Sequence, residues 1–483
     1  MRRETQSVHI FSINGIDLAY DGASGALHRL DQVGRAALLW VLGHPGDLAR
    51  RWRSGPGRAQ DGPRDMPPGL ARDLGCRFSR EDLESAWTEL LDLAGITLFG
   101  DDAAGLALPL DDAAVDPQVA GVKAMCLDVA HDCNLACAYC FASQGSFGGT
   151  PSLMTRETGR AAIDFLLAAS KGRRYLDLDF FGGEPLLAFD VVRKVAAYAR
   201  EQGEERGKEF RFTLTTNCTL LDEEKMDFLN EQRVSLILSV DGRPEVHDRM
   251  RRFRGGGPSH EVVMEKALRA VRSRGGRDYY VRGTYTRHNL DFDEDARYLY
   301  EMGFRRLSLE PAVGTGASGA DDWGISEADL PRLKESYSKL AAFWAESMHK
   351  GDPFEFYHFN LGLAGGLCRE RRMTGCGAGY EYVAVTPEGE VYPCHQLVGN
   401  REYLLGTIAS GISGPEIQRA FFQARVPNKD KCRSCWARYL CGGGCHARAI
   451  ASGGNLRQPD PMSCLIMKTR LEYALYAQIL RGA

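Results

Sequence analysis

At 483 residues the chain exceeds what one hydrophobic core usually serves, so two or three domains are expected. Lys plus Arg total 60 against 64 Asp plus Glu, a net charge of -4 that leaves no electrostatic footprint for nucleic acid or an anionic membrane. No apolar run reaches the length of a membrane span, and Met1-Arg2-Arg3-Glu4-Thr5 is not followed by an apolar signal segment, so a cytoplasmic protein is expected.

Residues 7 to about 42 alternate as short strands, Val8 to Phe11 and Ile16 to Tyr20 around Asn14-Gly15, then Gly25 to Leu30, with a helix over Gln32 to Leu42. Gly43 to Asp73, rich in Gly, Pro and Arg and without periodicity, reads as a loop insertion. Ser79 to Leu93 reads as an amphipathic helix opened by a Ser cap. This pattern resembles the winged-helix-like element that binds leader peptides of ribosomally made natural products. The resemblance implies a leader-recognition domain over residues 1–110, where the residues alone give a small α+β unit. A linker is expected over 111–124.

From Met125 the rhythm changes. Strands are expected at Met125 to Ala130, Tyr175 to Phe181, Phe210 to Thr216, Val234 to Val240, Tyr279 to Thr286 and Leu307 to Glu310, separated by helices such as Arg156 to Ser170 and Asp190 to Gly203. Six β/α repeats predict an α/β fold with a parallel sheet and right-handed crossovers over residues 125–355. In a barrel built this way chemistry sits at the C-terminal ends of the strands. The polar motifs fall there: the Cys133 loop after the first strand, Gly182-Gly183-Glu184-Pro185 after the second, Thr215-Thr216-Asn217 after the third, Ser239-Val240-Asp241-Gly242 after the fourth.

Fourteen Cys in a reducing compartment argue for metal ligation or redox chemistry rather than a disulfide framework. Cys133, Cys137 and Cys140, spaced C-x3-C-x2-C, can hold three irons of a four-iron cubane and leave the fourth open to an exogenous ligand, whereas an electron-carrying ferredoxin ligates every iron. Half of a zinc site is the competing reading. The spacing resembles the signature of the radical S-adenosylmethionine (SAM) superfamily, which folds as a six-stranded partial barrel. By that resemblance SAM binds the open iron and Tyr139 lies against its adenine. Gly182 and Gly183 let the methionine moiety approach and Glu184 accepts from its amino group; taken alone, the motif is equally a turn. Ser239 and Asp241 resemble ribose and carboxylate contacts. Thr216, Asn217 and Arg282 are candidate SAM contacts or satisfied strand-end polars. Cys218 stands where relatives commonly carry Gly and has no assigned role, and Cys76 and Cys126 read as inert packing residues.

Beyond Cys368 lie Cys376, Cys394 in Gly389-Glu390-Val391-Tyr392-Pro393-Cys394, then Cys432-x2-Cys435-x5-Cys441-x3-Cys445 and Cys464. This arrangement over residues 356–483 resembles the SPASM extension, which carries two auxiliary clusters; zinc knuckles are the alternative. By resemblance, Cys432, Cys435, Cys441 and Cys464 hold the outer cluster and Cys376, Cys394 and Cys445 the inner one, with Cys368 a possible fourth ligand. Across Ala130 to Leu135, Tyr139 to Ser143, Phe147 to Gly149, Phe180 to Leu186, Tyr280 to Thr284 and Tyr392 to Gln396 the chain resembles maturases of the "six cysteines in forty-five residues" (SCIFF) peptides.

That closer resemblance implies three 4Fe-4S clusters, SAM, a flavodoxin- or ferredoxin-type electron donor, and a short Cys-rich precursor peptide with a leader as substrate. A 5′-deoxyadenosyl radical would take hydrogen from a peptide C–H before carbon joins a Cys sulfur, with His395 a proton acceptor or a structural imidazole. The rivals are other SPASM reactions, namely thioether formation on a quinohemoprotein amine dehydrogenase subunit or formylglycine formation on a sulfatase. An iron-sulfur redox sensor is the non-enzyme reading, and the neutral-to-acidic charge balance opposes a DNA-binding version of it.

Overall fold

The computed structural model describes residues 7–44, 65–94, 98, 121–312, 323–363 and 371–482. Cys368 and most of the expected linker lie outside these residues. β1 (Val8–Ile13), β2 (Ile16–Asp21) and β3 (Leu27–Leu30) form an antiparallel meander in that order. Its first turn is tight because Asn14 and Gly15 both take positive φ, 50° and 78°, the twist that a two-residue hairpin loop needs. The helix Gln32–Gly43 starts where Asp31 accepts from the Gly34 amide at 2.7 Å, and Arg80–Leu93 where Ser79 accepts from Asp82 at 3.1 Å. Between them Pro68–Leu74 is helical, which corrects the reading of Gly43 to Asp73 as loop throughout. Pro at N1 starts that helix and Leu70 anchors it against the Trp40, Leu38 and Trp87 cluster, a single buried contact too sparse to show as periodicity.

The main sheet holds β4 (Ala124–His131), β5 (Ser152–Leu153), β6 (Tyr175–Gly182), β7 (Glu209–Thr216), β8 (Ser235–Ser239), β9 (Tyr279–Tyr285), β10 (Arg306–Pro311), β11 (Glu355–Phe356), β12 (Tyr382–Val385), β13 (Glu390–Tyr392), β14 (Gly406–Thr407) and β15 (Gly411–Ile412). The six expected strands are neighbours in the order β4-β6-β7-β8-β9-β10, all parallel. All of β4 is buried, as a central parallel strand covered on both faces must be. The helices between them pack their apolar stripes on the sheet; in Arg156–Ala169 those are Ala162, Ile163, Leu166 and Leu167.

Two features have no local sequence signal. β12 pairs in parallel with the free edge of β4, Tyr382 opposite Ala124, so the antiparallel run β12-β13-β14-β15 continues the same sheet. The N-terminal meander packs on the C-terminal cysteine region: His9 stacks on Trp436 with ring centroids 4.2 Å apart and lies 2.8 Å from Glu472, while Phe11, Ile13, Leu18 and Tyr20 join the main core. Among the described residues no helix is long and apolar enough to cross a membrane.

Candidate active site

At the C-terminal ends of the strands lies a cavity of about 780 Å³. Cys133, Cys137 and Cys140 line one part of it and Cys441, Cys445 and Cys464 another. The first loop is held by strand-like pairing that its sequence does not announce: Ala136 and Ala138 donate to the Arg252 and Met250 carbonyls at 2.7 and 2.8 Å, and Leu135 bridges Phe253. The same segment supplies Arg251, a buried guanidinium on the cavity wall whose Nη1 donates to Tyr139 Oη at 3.0 Å. Burial would lower its pKa, but the charges of Cys137, Tyr139 and Asp241 outweigh that and raise it. Nothing in the sequence singles it out among the arginines of Arg249 to Arg254.

Two donors converge on the Cys133 sulfur. The Leu135 amide lies 3.4 Å and Asn217 Nδ2 3.7 Å from Cys133 Sγ. Burial pushes the Cys133 thiol up to about 12, against that amide, and raises Cys137 against Arg251. Thiols so desolvated ionise when a metal takes the charge, and the directed N–H groups and guanidinium favour the thiolate. Three cysteines on one rigid loop with such donors fit a cluster with an open iron.

Tyr139, Gly182, Gly183, Thr216, Asn217, Ser239, Arg282 and His395 line the cavity. Side chains are excluded at the glycines: a Cβ on Gly182, at φ 123°, would sit 2.3 Å from the Ala130 carbonyl oxygen, and one on Gly183 would sit 2.2 Å from that of Asp132. The pair therefore closes β6 directly onto the cysteine loop and leaves backbone facing the cavity.

Glu184 and Asp241 are buried behind that lining. Glu184 accepts from the Asn217 amide at 2.7 Å, Thr216 Oγ1 at 2.8 Å and the Leu186 amide at 3.1 Å, so its carboxylate braces the ends of β6 and β7. Asp241 accepts from Tyr139 Oη at 2.6 Å and the Thr284 amide at 3.0 Å and so fixes the Tyr139 ring. Burial raises Glu184 to about 7, against its hydrogen bonds, and Asp241 to about 6, against Arg251. Since Glu184 in the folded chain holds its proton more tightly than an ordinary Glu, its contribution to stability falls as pH rises from about 4.5 to about 7, by about 3 kcal/mol. Thr216→Val should therefore cost about 1 kcal/mol at pH 5 and about 2 kcal/mol at pH 8, where the lost donor served a carboxylate. Urea unfolding of the metal-free chain at both pH values measures this, and equal losses would refute it.

His395 sits against Phe181 and Phe141, with centroids 5.0 and 5.4 Å away, and its Nδ1 lies 3.0 Å from Tyr382 Oη. Desolvation there, with the charge of Arg282, pushes the imidazole down to about 4, so it is neutral at pH 7. Glu310, at the end of β10, is a cavity residue that the sequence reading missed because it looked like the last residue of a strand. His358 Nε2 at 2.9 Å and Arg470 Nη1 at 3.1 Å hold it. Burial favours its protonation, but His358, then Arg470 and Arg282, outweigh it and keep a carboxylate on the wall, while burial pushes the His358 imidazole itself down.

The C-terminal cysteines fall into two groups. Burial, then the charges of Cys445 and Cys376, raises Cys394, and desolvation and Cys445 act on Cys376. Burial pushes Cys432 up to about 12, opposed by Lys429 and reinforced by Cys441, Cys435 and Cys464. Cys445 touches the cavity from the first group and Cys441 and Cys464 from the second, while Cys376, Cys394, Cys432 and Cys435 lie off it. Among the described residues no three His, Cys, Asp or Glu converge as ligands of a single metal ion. Cys126 and Cys218 are buried, and Cys218 adopts φ 68°, the left-handed backbone that a Gly would take there without strain.

Residues 128–309 match the family model described as the Radical SAM superfamily. The chain is 24% identical over 355 residues to a serine-type anaerobic sulfatase-maturating enzyme of Klebsiella aerogenes, covering 67% of this chain and 79% of that protein. It is 27% identical over 343 residues to the mycofactocin maturase MftC of Mycolicibacterium smegmatis, covering 69% and 80%. An uncharacterised protein of Methanocaldococcus jannaschii is 28% identical over 193 residues, a match that spans 40% of this chain and 63% of that protein. Among solved structures, anSMEcpe with bound AdoMet aligns with a TM-score of 0.63 at 22% identity over 75% of this chain and 100% of its own. Streptococcus suis SuiB bound to its precursor peptide SuiA aligns with a TM-score of 0.51 at 14% identity over 95% and 98%. These two share the fold. The chain thus carries a radical SAM domain over residues 128–309, within a sequence similar to sulfatase- and mycofactocin-maturing proteins.

Proposed function

We propose that this protein is a radical SAM enzyme that forms Cys sulfur-to-carbon thioether crosslinks in a ribosomally made, Cys-rich precursor peptide, using SAM and three 4Fe-4S clusters. The observation that carries the reading is the single cavity that touches both the Cys133, Cys137 and Cys140 loop and Cys441, Cys445 and Cys464. A substrate held there faces both sets of thiols at once. When bound, the first cluster supplies an electron that splits SAM into methionine and a 5′-deoxyadenosyl radical. The chain's own residues do the rest of the positioning. Asp241 and Arg251 fix Tyr139, Glu184 braces the strand ends under the SAM pocket, and Arg282 and Glu310 present fixed opposite charges to a substrate.

The N-terminal meander is read as the leader-recognition unit, winged-helix-like, and peptide strand addition to its edge is the binding mode. SuiB, which aligns over nearly the whole chain, binds a precursor peptide. Formylglycine formation is the second reading, favoured by the similarity to the sulfatase-maturating enzyme of Klebsiella aerogenes.

Anaerobically reconstituted protein should carry about twelve irons and release 5′-deoxyadenosine from SAM under reduction. Iron analysis and chromatography of the SAM products check this. Zinc in place of iron, or about four irons only, would overturn the three-cluster reading.

A further inference from the structure

Between the two C-terminal cysteine groups the x3 spacer is Gly442-Gly443-Gly444, and all three residues have positive φ, 74°, 89° and 79°. This left-handed bridge carries the chain from Cys441 of one group to Cys445 of the other. Gly442 cannot carry a side chain, because a Cβ would sit 2.5 Å from the Thr374 carbonyl oxygen. Lys429 reaches the middle of the bridge. It is 0% exposed, and its Nζ donates to the Gly443 carbonyl at 2.8 Å. Burial lowers its pKa, opposed by the charges of Cys432, Cys441, Cys445 and Cys464, and among the described residues no carboxylate lies within ion-pair distance of it. A buried cation without an anionic partner is costly. Desolvated thiols supply that partner when a metal holds them as thiolates.

We propose that Lys429 is the shared counter-charge of both C-terminal cysteine groups, pinning the glycine bridge between them and raising the reduction potential of the clusters they hold. This rests on the reading that the two groups ligate iron-sulfur clusters. Reduction of either cluster adds one electron and therefore one negative charge, with no bond made or broken. A fixed cation a short way off in a low-dielectric interior favours that added charge. Its position at the bridge lets it act on both clusters, so an electron released at the cavity meets acceptors poised together.

The test is an EPR-monitored redox titration of the full-length, anaerobically reconstituted protein. Lys429→Gln keeps an N–H donor for Gly443 and removes the charge, and Lys429→Arg keeps the charge. The C-terminal clusters should shift to lower potential in Lys429→Gln and stay near wild type in Lys429→Arg, with the first cluster unmoved in both as an internal reference. Unmoved midpoints in fully loaded Lys429→Gln would overturn the inference. Loss of the C-terminal iron in Lys429→Gln with retention in Lys429→Arg would support it, since charge alone separates the two outcomes, whereas equal loss in both would reduce Lys429 to packing and overturn it. A wild-type protein without C-terminal iron would defeat the cluster reading itself, a result distinct from loaded clusters with unmoved potentials.

Discussion

Replacing Cys133, Cys137 and Cys140 together by Ala is expected to remove about one third of the iron and all SAM cleavage, while the C-terminal iron stays. The three sulfurs sit on one loop, fixed by the Arg252 and Met250 carbonyls and by the closure of Gly182 and Gly183 onto Ala130 and Asp132, none of which depends on the cysteine side chains. The C-terminal cysteines hang on other segments, around β13, the glycine bridge and the start of the last helix, Pro461–Gly482. The variant should therefore keep its fold and its second and third clusters. Iron analysis, EPR of the remaining clusters and 5′-deoxyadenosine yield under reduction measure the three parts separately. 5′-Deoxyadenosine above background would mean that the radical starts elsewhere, and loss of all iron would mean that the clusters assemble as one unit.

The β/α alternation was legible because each parallel strand is a short apolar run closed by a polar motif, and burial on both faces demands that composition. Leu127 to Ala130 and Leu236 to Val240 show it plainly, and the strand limits fall within one or two residues of those expected. Pairing between distant segments was not legible. Nothing in Tyr382 to Val385 says that it will extend the sheet beside Ala124, since an edge strand recruits its neighbour through backbone groups that every residue carries. The docking of His9 on Trp436 was hidden for the same reason, and it ties the N-terminal meander to the region of Cys435 rather than leaving it a detachable module.

In the site, the motifs marked the right strand ends but not the direction of every side chain. Gly183 faces the cavity while its neighbour Glu184 turns inward to Thr216 and Asn217, a difference set by the close approach of the Asp132 carbonyl. Arg251 and Glu310 escaped notice because a charge in a run of arginines and a Glu at a strand end both have surface readings. Only the structure shows that one donates to Tyr139 beside the cysteine loop and the other is held ionised by His358 and Arg470.

The product decides among the maturase chemistries. If a thioether forms, the peptide should lose about two mass units per crosslink, because one C–H and one S–H hydrogen leave when carbon and sulfur join, and each crosslink should consume one free thiol. The hydrogen from carbon would end in 5′-deoxyadenosine, the thiol proton would go to solvent, and one electron would pass to an acceptor, for which clusters held by the C-terminal cysteines would be the candidates. Exposed Cys445, on the cavity wall and close in charge to Cys376 and Cys394, marks where a substrate thiolate would meet that acceptor. Loss of the same mass with every thiol still alkylatable would indicate a carbon-carbon bond or a dehydrogenated residue. Loss of sulfur with gain of an aldehyde would indicate formylglycine and the sulfatase-type reading. Tandem mass spectra of alkylated and unalkylated peptide, taken after incubation with the reconstituted protein, SAM and reductant, should show the thiol count falling in step with the mass.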